Sequence, residues 1–173
     1  MDQLDSVTRR FVLHWGEMGT RWGINRTVAQ VHALLYLSAR PMNADEIVEA
    51  LEVSRSNVSM SLKDLLGWGL VRTVHLPGDR RDHLETLHDP WELFRIVFEE
   101  RRKREFDPTH REIQSCLDEA EHTQAPEHIR TRLAAMRDFF SAAGAFHDTL
   151  RAIPVSAWPK LGKAGAALRR LLG

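Results

Sequence analysis

Residues 43–87 read NADEIVEALEVSRSNVSMSLKDLLGWGLVRTVHLPGDRRDHLETL, and this stretch decides the fold of the chain. Its first residue, Asn43, is a favourable N-cap. Glu46 stands three residues later, where its carboxylate can reach back to the backbone of the cap. This capping box predicts a short helix over residues 43–51. A second helix and two short β-rich segments are predicted after it.

The second predicted helix has two unlike faces. Ser54 is a good N-cap, and Gly67 and Gly69 are stop signals, so the helix should span about 54–66. Apolar side chains at helical spacing form the inward face, namely Val58, Leu62, Leu65 and Leu66. Short polar and basic side chains form the outward face, namely Arg55, Ser56, Asn57, Ser59, Ser61 and Lys63.

The composition of the outward face indicates contact with another surface. Serine and asparagine are mediocre helix formers, so helix propensity alone would not favour them on a solvated face. Short donors and acceptors permit close approach. Asn can bond two edges of adenine, Arg two edges of guanine, and Ser either a phosphate or a base. This favours a helix that reads a DNA major groove; the alternative is a merely polar, solvated helix.

The β-rich segments 70–75 and 84–87 flank the sequence LPGDRRDH. A Pro-Gly turn followed by Asp79, Arg80 and Arg81 predicts a two-stranded hairpin with a basic tip. A narrow minor groove concentrates negative potential and attracts an arginine of this kind. Two short helices followed by a basic hairpin predict a winged helix-turn-helix in a mainly α-helical chain.

The flanking sequence is predicted to form helices over about 2–20, 26–38, 90–106, 107–121 and 126–151. Thr27 and Gln30 are spaced as a capping box for the second of these helices. Charges of opposite sign surround the basic run 101–104, which indicates a salt-bridged surface rather than a phosphate site. Leu161, Leu168, Leu171 and Leu172 are candidate docking residues of a short helix in the tail.

The last long helix carries apolar residues alternately four and three apart. They are Ile129, Leu133, Met136, Phe140, Ala143, His147 and Leu150. About three such repeats are the lower limit for a coiled coil, so a bundle interface or a core helix is an equal alternative.

Composition narrows the functional class. The 173 residues carry 24 basic and 24 acidic side chains, which argues against a protein held on DNA by bulk charge. No apolar run approaches the roughly 20 residues of a membrane span, and the charged start lacks a secretory core. The one cysteine, Cys116, can form no intrachain disulfide, and we expect a buried inert thiol in a cytoplasmic protein; the alternative is a redox-sensing thiol.

The sequence contains no set of residues that predicts catalysis. The nine histidines are scattered, and no His/Cys group has zinc-ligand spacing. No glycine-rich phosphate loop occurs either. We therefore predict no enzymatic activity, no metal site and no cofactor.

The chain resembles the GbsR branch of the MarR-type winged-helix regulators. The likeness covers roughly residues 18–106 and rests on MGTRWGINRTVAQVHALLYLS and SRSNVSMSLKDLLGWGLVRTVHLPGDRRDH. It implies a homodimer that binds an inverted-repeat operator in double-stranded DNA, usually as a repressor. The family's Asp-x-Arg wing signature corresponds to Asp79 and Arg81. It implies that Arg81 enters the minor groove and that Asp79 supports the wing.

The resemblance also implies a small-molecule effector. Members of the branch are associated with glycine betaine and other compatible solutes, so a quaternary ammonium compound such as choline is the candidate. Aromatic rings bind such cations through their negative faces. The candidate rings are Trp15, Trp22, Tyr36 and Trp91. The alternative is that these rings belong to the core or to an interface.

These expectations give a domain plan. Residues 22–88 form the DNA-binding domain, and residues 1–21 and 89–173 form dimerisation helices with a possible effector site. The predicted DNA contacts are Ser54, Arg55, Ser56, Asn57, Ser59, Lys63, Arg80 and Arg81. The alternative function is a winged-helix module that binds another protein without contacting DNA.

Overall fold

The computed structural model describes residues 1 and 4–160, and the chain divides into two units, Met1–Ile96 and Val97–Gly173. The first unit comprises α1 (Ser6–Arg21), α2 (Arg26–Leu37), β1 (Met42–Asn43), α3 (Ala44–Leu51), α4 (Arg55–Gly67), β2 (Val71–Val74), β3 (His83–Thr86) and most of α5 (Pro90–Arg101). The second comprises the end of α5, a π-helical turn (Arg102–Phe106), α6 (Asp107–His122), α7 (Glu127–Ala152) and a 3-10 turn (Val155–Ala157). The four tail leucines predicted to dock lie outside the described residues.

Small residues bring α1 and α2 into close contact. Gly16 and Gly19 are buried on α1. A Cβ atom built on Gly19 would lie 2.5 Å from Cβ of Ala29 on α2. Because that distance is far inside van der Waals contact, glycine is required for the observed helix packing.

Gly19→Ala should lower the free energy of unfolding by roughly 1–2 kcal/mol, since overpacking outweighs the gain in helix propensity. Thermal or urea unfolding of the full chain measures the change. Gly67→Ala is the matched control, because a Cβ there meets nothing within 4 Å. A Gly19→Ala/Ala29→Gly double variant should lose less stability than the two single losses added together. Additive losses would contradict the proposed clash.

The start of α2 differs from the prediction. Asn25, not Thr27, is the N-cap, and its side-chain oxygen accepts hydrogen bonds from the backbone N–H groups of Thr27 and Val28. The predicted Thr27/Gln30 capping box is therefore wrong. Gln30 is buried and lies against Gly16, so its side chain is used in packing instead of capping.

The capping box of α3 is confirmed. The side chain of Asn43 accepts hydrogen bonds from the backbone N–H groups of Asp45 and Glu46. The Asn43 N–H donates to the Glu46 carboxylate at 2.7 Å. After α3, Glu52 adopts a left-handed conformation with φ 55°, which turns the chain toward the cap of α4.

The wing contains three strands, not the predicted two. Their order is β1-β3-β2 and both pairings are antiparallel. β1 pairs Met42 with Leu84 and Asn43 with His83. A two-residue strand has no alternating pattern, so its sequence carries no signal for it. This extra strand joins the wing to the start of α3.

Charged pairs cover the end of α5 and the turn that follows it, as predicted for the basic run. Arg101 pairs with Glu105, Lys103 and Arg104 pair with Glu100, and Arg102 pairs with Asp107 and Asp148. The predicted helix break before Pro108 is absent, since the chain stays helical through the π-helical turn. Such turns accommodate a locally disrupted hydrogen-bond ladder, as a proline causes.

α7 packs against α6, the π-helical turn and the end of α5 through part of its apolar sequence. Phe140 contacts Phe106 with ring centroids 4.5 Å apart, and His147 is buried against Phe98 at 4.9 Å. Other large apolar side chains of α7 are exposed, namely Ile129, Met136, Phe139 and Phe146. The apolar residues predicted at alternating spacings of four and three are therefore divided between a packed face and an exposed face of α7.

Candidate nucleic-acid interface

α4 begins as the sequence predicted, and three of its four predicted inward residues are buried. The Ser54 hydroxyl accepts a hydrogen bond from the backbone N–H of Asn57 at 3.3 Å. Val58, Leu62 and Leu65 are buried beneath the helix, whereas Leu66 is partly exposed. The buried side chains fix the rotation of α4 and so determine which residues it presents to solvent.

The exposed face of α4 differs from the prediction at two positions. Ser61 is only 2% exposed, so its assignment to the outward face was wrong. It lies three residues after Val58 and next to Leu62, which places it with the core. Met60, which the prediction passed over, is 67% exposed. The exposed side chains of α4 are Arg55, Ser56, Asn57, Ser59, Met60, Lys63, Asp64 and Leu66.

Several polar groups on this face have no hydrogen-bond or ion-pair partner among the described residues. Among the described residues, the side chains of Asn57, Ser59 and Lys63 make no hydrogen bond or ion pair. The hydroxyls of Ser54 and Ser56 lie 3.1 Å apart. Arg55 instead forms an ion pair with Asp45 of α3. The face thus has open donors and acceptors beside one arginine that is already oriented.

An arginine–aspartate pair organises the wing loop between β2 and β3. Arg81 Nε lies 3.0 Å from both carboxylate oxygens of Asp79, and the Arg81 backbone N–H donates to the same carboxylate at 2.9 Å. Hydrogen bonds from Arg81 hold the pKa of the Asp79 carboxyl well below its usual range. The carboxylate therefore stays ionised and fixes both the loop backbone and the guanidinium.

His83 supports the wing loop from a buried position, a role that the sequence did not suggest. It is buried at the start of β3, and its Nδ1 lies 3.0 Å from the carbonyl oxygen of Arg81, to which it can donate. Its Nε2 lies 3.6 Å from the Asp79 carboxylate. In the sequence, the only feature that could have indicated this role is the position of His83 at the end of the basic loop.

The two arginines of the wing differ in their surroundings. Arg81 is bound to Asp79, whereas Arg80 is exposed and has no hydrogen bond or ion pair among the described residues. Arg80 is free to move toward a flexible anion such as a phosphate. Arg81 keeps a defined direction.

The aromatic residues considered for an effector all belong to the first unit. Trp15 stacks on Phe11 and meets Trp22 edge to face, with centroids 6.2 Å apart. Tyr36 lies beside the rings of His32 and His88. Trp91 is exposed.

The described residues contain neither a candidate metal site nor a membrane-spanning helix. They contain no group of three His, Cys, Asp or Glu side chains that could hold a metal ion. No helix among them is long and apolar enough to cross a membrane. Cys116 is half-buried, less enclosed than predicted, and its sulfur lies 3.8 Å from the Glu112 carboxylate.

Comparison with known proteins finds similarity to transcription regulators. Residues 22–82 match the MarR family. YvaV of Bacillus subtilis (strain 168), whose name gives it provisionally as an HTH-type transcriptional regulator, is 23% identical over 143 residues, which cover 79% of this chain and 81% of YvaV. The HTH-type transcriptional repressor OpcR of the same strain is 21% identical over 98 residues, 57% of this chain and 53% of OpcR.

A solved structure supports the fold. The crystal structure of a transcriptional regulator superimposes with a TM-score of 0.68 at 19% identity, over 88% of this chain and 98% of that one. The fold is a winged helix-turn-helix regulator fold, mainly helical with a small antiparallel sheet. The matching family model and both curated relatives are thus those of transcriptional regulators.

Proposed function

We propose that this protein is a homodimeric transcriptional repressor that binds an inverted-repeat operator and responds to a small-molecule effector. The main support is the exposed face of α4. Several of its polar side chains have no partner among the described residues, while the opposite face of the helix is buried. A wing with a fixed arginine lies in the same unit. One relative, OpcR, is named as a repressor, which supports repression over activation.

The proposed DNA contacts of α4 fall into two groups, those that read bases and those that position the helix. Arg55, Ser56 and Asn57 are proposed to read base edges in the major groove, since they are exposed near the start of α4. Ser54 and Ser59, with the main-chain amides of the first turn, are proposed to help fix the helix on the duplex. Arg55 is paired with Asp45 in the free protein, so it would read a base edge either by breaking this ion pair or by sharing its guanidinium between the two partners.

The other basic side chains, Lys63, Arg80 and Arg81, are proposed to contact DNA phosphates or the minor groove. Lys63 and Arg80 have no internal partner among the described residues, so phosphate contact costs them no existing bond. Arg81 is proposed to enter the minor groove, with Asp79 holding the wing. Two copies of this surface on one operator should lie about 34–36 Å apart.

A homodimer is supported by unpaired apolar surface in the helices outside residues 22–88. The exposed residues of α7, from Ile129 to Phe146, repeat at helical spacing along one stretch of the helix. In α1, Val7 is also exposed. We propose that residues 1–21 and 89–173 form the dimer interface, because a second copy would remove this surface from water.

The proposed effector is a quaternary ammonium compound, and the regulated genes would serve compatible solutes. The ring contact between Trp15 and Trp22, with Trp22 half exposed, is the best support among the four candidates. Two aromatic faces near each other can hold such a cation. Isothermal titration with glycine betaine or choline, repeated with Trp22→Ala, tests this part separately from DNA binding.

Genome-wide mapping of bound sites tests the proposed function. We expect enriched inverted repeats with half-sites one helical turn apart, upstream of genes whose expression rises when the protein is removed. The alternative, a winged helix that binds another protein, predicts no enriched sequence and no binding of purified protein to DNA.

Lys63→Ala should weaken operator binding uniformly across sequences and reduce its dependence on salt. Each phosphate contact contributes roughly 0.9 to the slope of log affinity against log salt, so a dimer should lose about 2 from the slope. Gel-shift titrations at several salt concentrations measure it. Lys103→Ala is the control, because its ammonium group is held by Glu100. An unchanged slope for Lys63→Ala would remove this residue from the interface.

A further inference from the structure

Met60 occupies the middle of the exposed face of α4. It lies four residues after Ser56 and three before Lys63, so the three side chains form one stripe along the helix. The buried residues Val58 and Leu62 point away from this stripe. A helix that places Ser56 and Lys63 in or beside a DNA groove must therefore place Met60 there as well.

The neighbours of Met60 make it the most protruding apolar group on this face. Ser56 and Ser59 are short, and Met60 is 67% exposed with no other large apolar side chain in the first two turns of the exposed face. Its thioether is neutral and a poor hydrogen-bond acceptor. It therefore gains little from a phosphate oxygen and loses hydration when placed against a polar base edge.

The major groove offers one apolar feature, the C5-methyl group of thymine. We infer that Met60 is a specificity-determining residue that contacts the methyl group of a thymine in each half-site. The inference rests on the proposed DNA-binding function and adds a base preference to it. Desolvation of the methyl group and the Met60 side chain drives the preference, because cytosine has only a hydrogen atom at the same ring position and the purines present polar groups to the major groove.

The test begins with selection of preferred sites from randomised duplex DNA by the full chain and by a Met60→Gln variant. The wild type should enrich a thymine at one position of each half-site, and the variant should lose that preference while keeping the rest of the site. Replacing this thymine by deoxyuridine removes only the methyl group. The wild type should then bind about fourfold more weakly per half-site, whereas Met60→Gln should bind both duplexes equally.

Met60→Leu is the conservative control and should keep the thymine preference, since it retains an apolar contact. Thermal unfolding of both variants should match the wild type because the side chain is exposed. A Met60→Gln variant that enriches the same thymine, or a wild type that is indifferent to deoxyuridine at every thymine, overturns the inference alone. A wild type that enriches no sequence overturns the proposed function with it.

Discussion

Arg81→Ala should weaken operator binding by roughly 5- to 150-fold per half-site, and the two half-sites of a dimer should multiply the loss. In the free protein the Arg81 guanidinium is already held by the Asp79 carboxylate. A side chain fixed in this way loses little conformational freedom on entering a minor groove. Fluorescence anisotropy with a labelled operator at fixed salt measures the change.

Two further variants separate the direction of Arg81 from its charge. Arg81→Lys keeps the positive charge but cannot form the forked contact with Asp79, so it should recover only part of the affinity. Arg80→Ala should reduce the salt dependence without changing the sequence preference, as a phosphate contact would. The melting temperature of Arg81→Ala should be unchanged, because an exposed ion pair contributes little to stability. Equal affinity of wild type and Arg81→Ala would exclude Arg81 from the interface.

Parts of the fold governed by neighbouring residues could be predicted from the sequence. The Asn43–Glu46 capping box and the Ser54 cap depend on bonds spanning two or three residues, so the residue types alone indicate them. The basic run 101–104 was also interpreted correctly, since its acidic partners are mostly close in sequence. Local chemistry therefore indicates where α3 and α4 begin.

Features that depend on distant residues could not be predicted in the same way. β1 exists only because its two residues meet Leu84 and His83 of β3. The need for glycine at position 19 follows from Ala29 on the neighbouring helix. His83 acts on the wing through a buried position that its sequence neighbours do not indicate. In each case tertiary packing supplies information that periodicity does not contain.

The error at Ser61 and Met60 has a different cause. Residue type, not helical phase, led to the grouping of all serines of α4 on one face. Counting from the buried Val58 places Ser61 with the core and Met60 opposite it. The candidate surface thus changes from a uniformly polar face to a polar face with one central apolar side chain, and its expected base preference changes accordingly.

His32 should make the stability of the first unit fall as the pH is lowered from 7 to 4. It lies on α2, is 8% exposed, and its Nε2 has no hydrogen-bond partner within the described residues. Burial without a compensating partner lowers the pKa of His32 from 6.5 to about 4. The imidazole is therefore neutral in the folded protein at neutral pH.

The sign of the effect follows from the two pKa values. Above pH 6.5 the ring is neutral in both folded and unfolded chains, so it contributes no pH dependence. Between pH 6.5 and 4 the unfolded chain binds a proton that the folded chain excludes, and stability falls as the pH falls. The loss at pH 4 relative to pH 7 is roughly 3 kcal/mol.

Urea unfolding of wild type and His32→Leu at pH 7 and pH 4 measures this contribution. His32→Leu should flatten the pH dependence by that amount. It should be at least as stable as wild type at pH 7, because it removes a buried polar atom that lacks a partner. The exposed His14→Gln is the control and should keep the wild-type dependence. If His32→Leu and wild type lose equal stability between the two pH values, His32 is charged in the folded protein or accessible to water, and its burial on α2 does not control the acid response.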